Sequence, residues 1–544
     1  MINIARHLPL QAAARPDQLA VIAGDRRVTF RELDQLSDRY AHALHAAGIR
    51  RGERTLLMVK AGVDLIAVTY AMMKAGVVPV LIDPGMGVKP FLRCVADIAP
   101  TAMVGIPLAH ALRVVFSGSF TSVRTHVTVG RRWFWGGPTL AGLATNQASF
   151  PIAETADGDE AAVLFTSGST GPAKGVVYTH GMFEAQVRAL LDTYGFRPGE
   201  VDCAAFPLFS LFDGALGMTS VIPDLDPSRP GTCDPAKVVA AIRDNHCTTA
   251  FGSPAIWRRV APYCIANGVK LPELRRVLIA GAPVPPLLVE QLHQVIGGDV
   301  ETPYGATESL PVANMTGKEI VGETAAATLA GAGTCVGRPA AHIEVRLIRV
   351  TDTAIPTWSE DLCVPDGEVG EICVKGPVVT RAYANRAAAT AAAKIAAGAD
   401  VWHRIGDLGY RDDKGRIWFC GRMGERVRTA AGDLYTDRIE GVCNGECARV
   451  AEAGEGRTGG STKGAGRRTA LVGVGEPGSQ RPVLIVEGAP DDALATRLRA
   501  KVPVLEAVLF YPAFPVDVRH NAKIHRHTLA LWATPRVSTA LVSA

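Results

Sequence analysis

"AAVLFTSGSTGPAKGVVYTH", Ala161 to His180, places an apolar run, a loop rich in Gly, Ser and Thr, one lysine and a second apolar run in that order. Glycines let backbone N–H groups approach an anion closely, while Ser and Thr hydroxyls add donors and Lys174 adds a charge. Phosphate is the natural guest. A P-loop would need Gly-Lys followed by Ser or Thr, but Lys174 stands between Ala173 and Gly175. A merely flexible turn would not require a strand before it, a lysine within it and a second apolar run after it.

Outward from this stretch the pattern is α/β. β-Branched runs such as "VLIAG" (277–281) and "RTALVGVG" (468–475) alternate with Ala-rich helical stretches. In "TFRELDQLSDRYAHALHAAG", Leu33, Leu36, Tyr40 and Leu44 fall on one helical face and Gly48 can stop the helix. The fold class expected is a large N-terminal domain of helix-covered β-sheets with a smaller mobile α+β C-terminal domain. "GEVGEICVKGP" (367–377) and "GRIWFCGR" (415–422) read as strands, and the rest of the chain beyond them has the size of a small domain. The boundary is set at Arg422, giving 1–421 and 422–544. "GEGRTGGSTKGAGRR" (454–468) reads as a mobile surface loop.

Bulk properties exclude several classes. With 57 Lys and Arg against 53 Asp and Glu over 544 residues, charge is too balanced for a nucleic-acid surface. Eleven cysteines between Cys94 and Cys447 lack the spacing of a disulfide framework or zinc site, so reduced thiols and a cytoplasmic location are expected. The N-terminus has no uninterrupted apolar core for export, because Arg6, His7 and Arg15 break it up. Leu56 to Pro84 carries Lys60, Asp64 and Lys74, and Leu108 to Phe120 is short and contains His110 and Arg113; neither is expected to span a membrane. The second is expected to be a packed amphipathic helix, the alternatives being peripheral membrane contact or a cover for an acyl pocket.

"FTSGSTGPAKG" resembles the phosphate-binding signature of the acyl-adenylate-forming superfamily, which includes acyl-CoA synthetases, luciferases and nonribosomal peptide adenylation domains. The likeness runs in ordered motifs from "TFRELDQLSD" to "HNAKIHRH". It implies that Thr166, Ser167, Gly168, Ser169, Thr170, Gly171 and Lys174 hold the phosphates of ATP, with Ala173 in place of the usual Pro. "TPYGATE" (302–308) is similar to the adenine and metal segment. The resemblance implies that Tyr304 stacks on adenine, Thr307 reaches the α-phosphate and Glu308 holds Mg²⁺; taken alone, the same residues also suit a turn and helix cap. "HRIGDLGY" (403–410) resembles the ribose motif, with Asp407 accepting from both hydroxyls, although an Asx-turn is the plain alternative. Arg422 resembles a second ribose contact, and Glu425 is the nearest match to the hinge residue. Lys523 aligns with the catalytic lysine that bridges carboxylate and α-phosphate, Ala522 replacing the usual Gly.

Adenylation converts a carboxylate, whose leaving group would be oxide, into a mixed anhydride that expels AMP. Glu308 with its Mg²⁺, Lys174 and Lys523 would screen the charge as two anions meet. "FPLFSLFDGALGMTSVIPDLDPSRPG" (206–231) and "YGATESLPV" further resemble the β-lactone synthetases of bacterial long-chain olefin biosynthesis. The resemblance implies a long-chain 2-alkyl-3-hydroxy acid whose own hydroxyl attacks the acyl carbon, and it leaves assembly with other olefin-pathway enzymes open. Phe206 to Met218 suits an alkyl-binding wall or a buried core helix equally. The rivals are a long-chain fatty acyl-CoA synthetase and a non-catalytic nucleotide or acyl binder. His180 is a geometric candidate for the base.

Overall fold

The computed structural model describes residues 2–144, 149–166, 172–206, 208–452, 467–516 and 524–539. Of the residues singled out above, Ser167 to Gly171, Lys523 and most of 454–468 lie outside these segments.

Leu56 to Pro84 shows how the architecture arises. It forms a strand, Arg54–Met58, a helix, Val63–Lys74, and a strand, Val78–Leu81, that lies parallel to the first. Eleven of the twelve helical residues are buried, because both faces of the helix are covered. Val63, Ile66, Ala67 and Tyr70 pack in a cluster with Val21, Ala162, Phe183 and Leu278. Leu65, Val68 and Met72 pack on Leu57, Val104 and Val127. The helix is therefore clamped between two sheets, and its hydropathy reflects burial in protein.

One of those sheets has six strands in the order Thr125–Thr128, Ala102–Gly105, Arg54–Met58, Val78–Leu81, Glu160–Phe165, Gly175–Thr179, parallel except for the last pair. The other has seven, from Asp299–Glu301 through Arg276–Ile279, Thr249–Gly252, Val201–Ala204, Thr219–Ile222 and Leu19–Ala23 to Arg26–Thr29, again with an antiparallel last pair. An antiparallel sheet of eight strands comes next along the chain and includes Tyr304–Ala306, Ser309–Asn314, Asp400–Arg411 and Ile417–Arg422. The helix Phe30–Ala46 begins at a capping box in which Thr29 and Glu32 each satisfy the other's backbone N–H. Leu33 and Leu44 are fully buried on its expected face, while Leu36 and Tyr40 are partly buried.

Past Arg422 the chain builds separate cores. Val427, Cys443, Leu471, Leu484 and Leu498 form one, and Val472, Val483, Phe514 and Leu529 another, around the three strands Thr469–Val474, Arg481–Glu487 and Ala507–Tyr511. The helix Thr436–Glu452 joins this body to the preceding sheet through Asp437, which accepts from the Thr334 hydroxyl at 2.7 Å. All eleven cysteines are free thiols. Among the described residues no helix is long and apolar enough to cross a membrane.

Candidate active site

The strand Glu160–Phe165 ends at the glycine-rich loop and Gly175–Thr179 leaves it. Its two ends are stapled: Thr166 N–H donates to Lys174 O at 3.0 Å, and Lys174 N–H returns to Thr166 Oγ1 at 3.4 Å. The segment around Tyr383 runs beside the second strand, Ala384 N–H donating to Gly175 O at 2.7 Å. Lys174 Nζ thereby sits 4.8 Å from the centre of the Tyr383 ring.

Thr307 and Glu308 are the two-residue turn between antiparallel strands Tyr304–Ala306 and Ser309–Asn314. The turn is anchored from outside: Tyr178 OH donates to Thr307 O, and Thr380 N–H donates to Glu308 O at 2.9 Å. No helix is capped here. The Glu308 carboxylate accepts from Tyr383 OH at 2.6 Å. The tyrosine thus lies against both Lys174 and Glu308, and burial beside that carboxylate pushes its pKa up. Lys394, buried behind the ring, has Nζ 3.3 Å from Thr380 Oγ1. Burial pulls its ammonium down to about 7, against the opposing pull of Glu308.

The other half of the constellation comes from neighbouring strands. Asp407 and Arg422 are cross-strand partners, with Arg422 Nη1 3.0 Å from Asp407 Oδ1. Tyr304 OH donates to Asp407 Oδ2 at 2.7 Å. The Asp407 charge raises the Arg422 pKa, and burial followed by the same charge raises that of Tyr304. Asp407 is therefore a strand residue held by two partners, not an Asx-turn former. A carboxylate has about four acceptor positions, so these contacts leave it capacity for ribose hydroxyls.

Thr166, Lys174, Tyr304, Thr307, Glu308, Asp407 and Arg422 all line one cavity of ≈ 3050 Å³. Part of its wall is aromatic, with Phe183, Phe206, Phe209, Phe212 and Phe251, while charged side chains such as Arg258, Arg259 and Glu440 line other parts. Phe209 and Phe251 stack with centroids 4.3 Å apart. The stretch from Phe206 is divided between cavity and core: Leu211, Phe212 and Ala215 of the helix Ser210–Leu216 line the cavity, whereas Leu216 and Met218 are core. Ile524, the residue after Lys523, also lines the cavity. Glu425 lies on the wall too and pairs with Arg526 at 3.2 Å, whose guanidinium also meets Glu440 at 2.7 Å.

His180 is not placed to act as a base. It is buried away from the cavity wall, and its Nδ1 accepts from Ile4 N–H at 3.3 Å. Desolvation holds it neutral, with a pKa of about 4. Tyr383 and Lys394 were missed by sequence reasoning; they come from "VVTRAYANR" and "AAAKIAAG", which carry no local signature of a site.

Thr166 and Lys174 at the two ends of the glycine-rich stretch, a carboxylate turn and an Asp–Arg pair on one cavity with an aromatic arm fit an acyl-adenylate-forming ligase that uses ATP. The AMP-binding enzyme family matches residues 8–384, and the chain belongs to that family. It is 46% identical over 563 residues, covering 98% of both chains, to a protein of Stenotrophomonas maltophilia (strain K279a) named olefin beta-lactone synthetase. A protein of the same name from Xanthomonas campestris pv. campestris is 44% identical over 565 residues, again covering 98% of both. Among solved structures, the amide bond synthetase McbA from Marinactinospora thermotolerans superposes with a TM-score of 0.78 at 24% identity, over 98% of this chain and 100% of that one. The O-succinylbenzoate coenzyme A synthetase of Bacillus subtilis in complex with AMP gives a TM-score of 0.74 at 20% identity, over 97% and 98%. These two likenesses concern the fold, which in both combines a large N-terminal and a small C-terminal domain.

Proposed function

We propose that the enzyme adenylates a long-chain 2-alkyl-3-hydroxy acid and closes it to a β-lactone, releasing AMP and pyrophosphate. The observation that carries this reading is the continuity of the cavity: a charged end bearing Lys174, Glu308 and Asp407 opens into an aromatic arm with room for alkyl chains. The two olefin beta-lactone synthetases support the product.

In the first half-reaction a carboxylate oxygen bonds to the α-phosphorus and the bond to pyrophosphate breaks. Asp407 and Arg422 would hold the ribose and Tyr304 the adenine. Thr307 would meet the α-phosphate, and the loop from Thr166 through Ser167, Gly168, Ser169, Thr170 and Gly171 to Lys174 would take the other phosphates. Lys523 would approach from the segment that ends at Ile524. Mg²⁺ is commonly held by one or two carboxylates, with phosphates and water completing its shell. Glu308 fits that mode as a single carboxylate on the cavity wall, oriented by the Tyr383 hydroxyl. Bound there, the ion would supply charge neutralisation at the phosphates. In the second half the 3-hydroxyl oxygen bonds to the acyl carbon, the bond to AMP breaks, and the hydroxyl proton passes to solvent or to the departing phosphate. Tethering the nucleophile offsets the strain of a four-membered ring.

We place the boundary between a 1–421 domain and a 422–544 domain, because separate cores begin just after Arg422. Eleven free thiols are in keeping with a reducing cytoplasm.

Mass spectrometry of products from ATP, Mg²⁺ and a 2-alkyl-3-hydroxy acid tests the reading. The expected product is lighter than substrate by one water, with or without CoA, while a plain fatty acid stalls at the adenylate. Consumption of CoA and accumulation of a thioester would replace the lactone reading with that of an acyl-CoA synthetase.

A further inference from the structure

One face of the helix Pro107–Val115 lines the cavity, and Ala109 and His110 are buried in the protein. Leu108, Ala111, Leu112 and Val115 all line the cavity, and Leu108 and Val115 are also 70% and 71% exposed. Beside the helix stands an aromatic tip, "RRWFW" (131–135). The Trp135 ring stacks on His110 of the helix at 5.5 Å and carries Trp133 and Phe134 at 5.3 and 5.4 Å.

The tip is built to present those rings. Trp135 is pinned by its indole N–H, which donates to Thr128 Oγ1 at 3.1 Å. The chain then turns through Gly136 and Gly137 at φ +74° and +71°, and a Cβ at Gly137 would come within 2.7 Å of His126 Nε2. Trp133 and Phe134 are left 51% and 76% exposed. A solvent-facing turn with no partner would not require rings held outward by an anchored third.

Charge identifies the partner. From Ile98 to Ala153 there is no Asp or Glu, although a chain with 53 acids in 544 residues would carry about five in a stretch of that length. The same stretch holds Arg113, Arg124, Arg131 and Arg132, the last three exposed. An apolar tip rimmed by arginines and free of acids matches an interface with an apolar layer beneath a negative one.

We propose that the helix Pro107–Val115 and the tip at Trp133 and Phe134 dock the enzyme on an anionic phospholipid bilayer. The apolar side chains enter the headgroup boundary and the arginines meet the phosphates. Leu108 and Val115, exposed and lining the cavity, then lie against the bilayer, so that an alkyl substrate enters beside them without crossing water.

The test needs no substrate and is independent of the lactone reading. The full chain is floated with vesicles of phosphatidylcholine alone and of equal parts phosphatidylcholine and phosphatidylglycerol. Binding to the mixed vesicles is expected to be tighter by on the order of tenfold and to weaken with salt. Trp133→Ser with Phe134→Ser should abolish it, and Arg131→Gln with Arg132→Gln should abolish the preference for the anionic lipid. Both variants should keep normal ATP/pyrophosphate exchange with a short, water-soluble acid. Failure to float with mixed vesicles, or flotation that neither variant weakens, overturns the proposal. Self-association of the parent that the aromatic variant abolishes, without vesicle binding, would assign the face to a second copy of the chain and overturn it equally.

Discussion

Glu308 depends on a residue far away in sequence. Tyr383 donates to its carboxylate at 2.6 Å and presents its ring to Lys174, so one side chain orients the metal-binding candidate and spaces it from the phosphate-loop lysine. Tyr383→Phe keeps the ring and deletes the donor. A hydrogen bond to a charged group contributes about 1.5–3 kcal/mol, so ATP/pyrophosphate exchange should fall roughly ten- to a hundredfold, with a higher Mg²⁺ concentration needed for half-maximal rate. An unchanged metal titration would show that the tyrosine does not orient Glu308. Glu308→Gln, which retains shape without charge, should raise the Mg²⁺ requirement further, and Lys523→Ala should slow AMP formation by orders of magnitude with much less effect on ATP binding.

At the scale of elements, the ion pair that joins two helices explains a charge inside an apolar run. Lys74, at the end of the helix Val63–Lys74, is 1% exposed, and its ammonium lies 2.6 Å from both Asp34 and Asp38 of the helix Phe30–Ala46. Burial raises the Asp34 pKa, with Lys74 opposing it. Removing one partner of a buried ion pair strands the other charge at a cost of about 3–5 kcal/mol. Lys74→Met should therefore lower the thermal unfolding midpoint markedly, and adding Asp38→Leu should recover part of the loss. If the double variant is less stable than the single one, the stranded-carboxylate account is wrong.

Over the whole molecule, buried neutral histidines tie stability to pH. His110 and His180 are both held near a pKa of about 4, chiefly by desolvation, and protonation of His180 would also set its Nδ1–H against the Ile4 N–H. Below an unfolded-state pKa of about 6.5 the unfolded chain binds protons that the folded one refuses, so stability rises with pH in that window. The contribution is complete above about 6.5 and is lost as pH falls toward 4, by up to about 3 kcal/mol per histidine. In urea unfolding from pH 7 to 4, His180→Gln should lose less stability than the parent. Parallel pH profiles for the two proteins would show that His180 does not titrate on unfolding.

The alternation of apolar runs, the helix at Phe30 and the strands flanking the glycine-rich loop were all legible in the sequence, because each rests on contacts a few residues apart: a period, a cap, a turn. Lys174, Tyr304, Glu308, Asp407 and Arg422, expected at a site from the family resemblance of the short motifs that carry them, line one cavity. Tyr383, Lys394 and the Lys74 pairs were not legible. Their partners lie on other elements, and only packing brings a tyrosine of one segment to a carboxylate 75 residues away. For the same reason His180 looked like a base beside the loop, while the tertiary structure turned its ring inward to the backbone of Ile4. The sequence by itself determined which elements form and which chemistry they carry; the tertiary structure decided which side chains face one another and how the charged end joins its apolar arm, because burial and charge act through distances that no local pattern encodes.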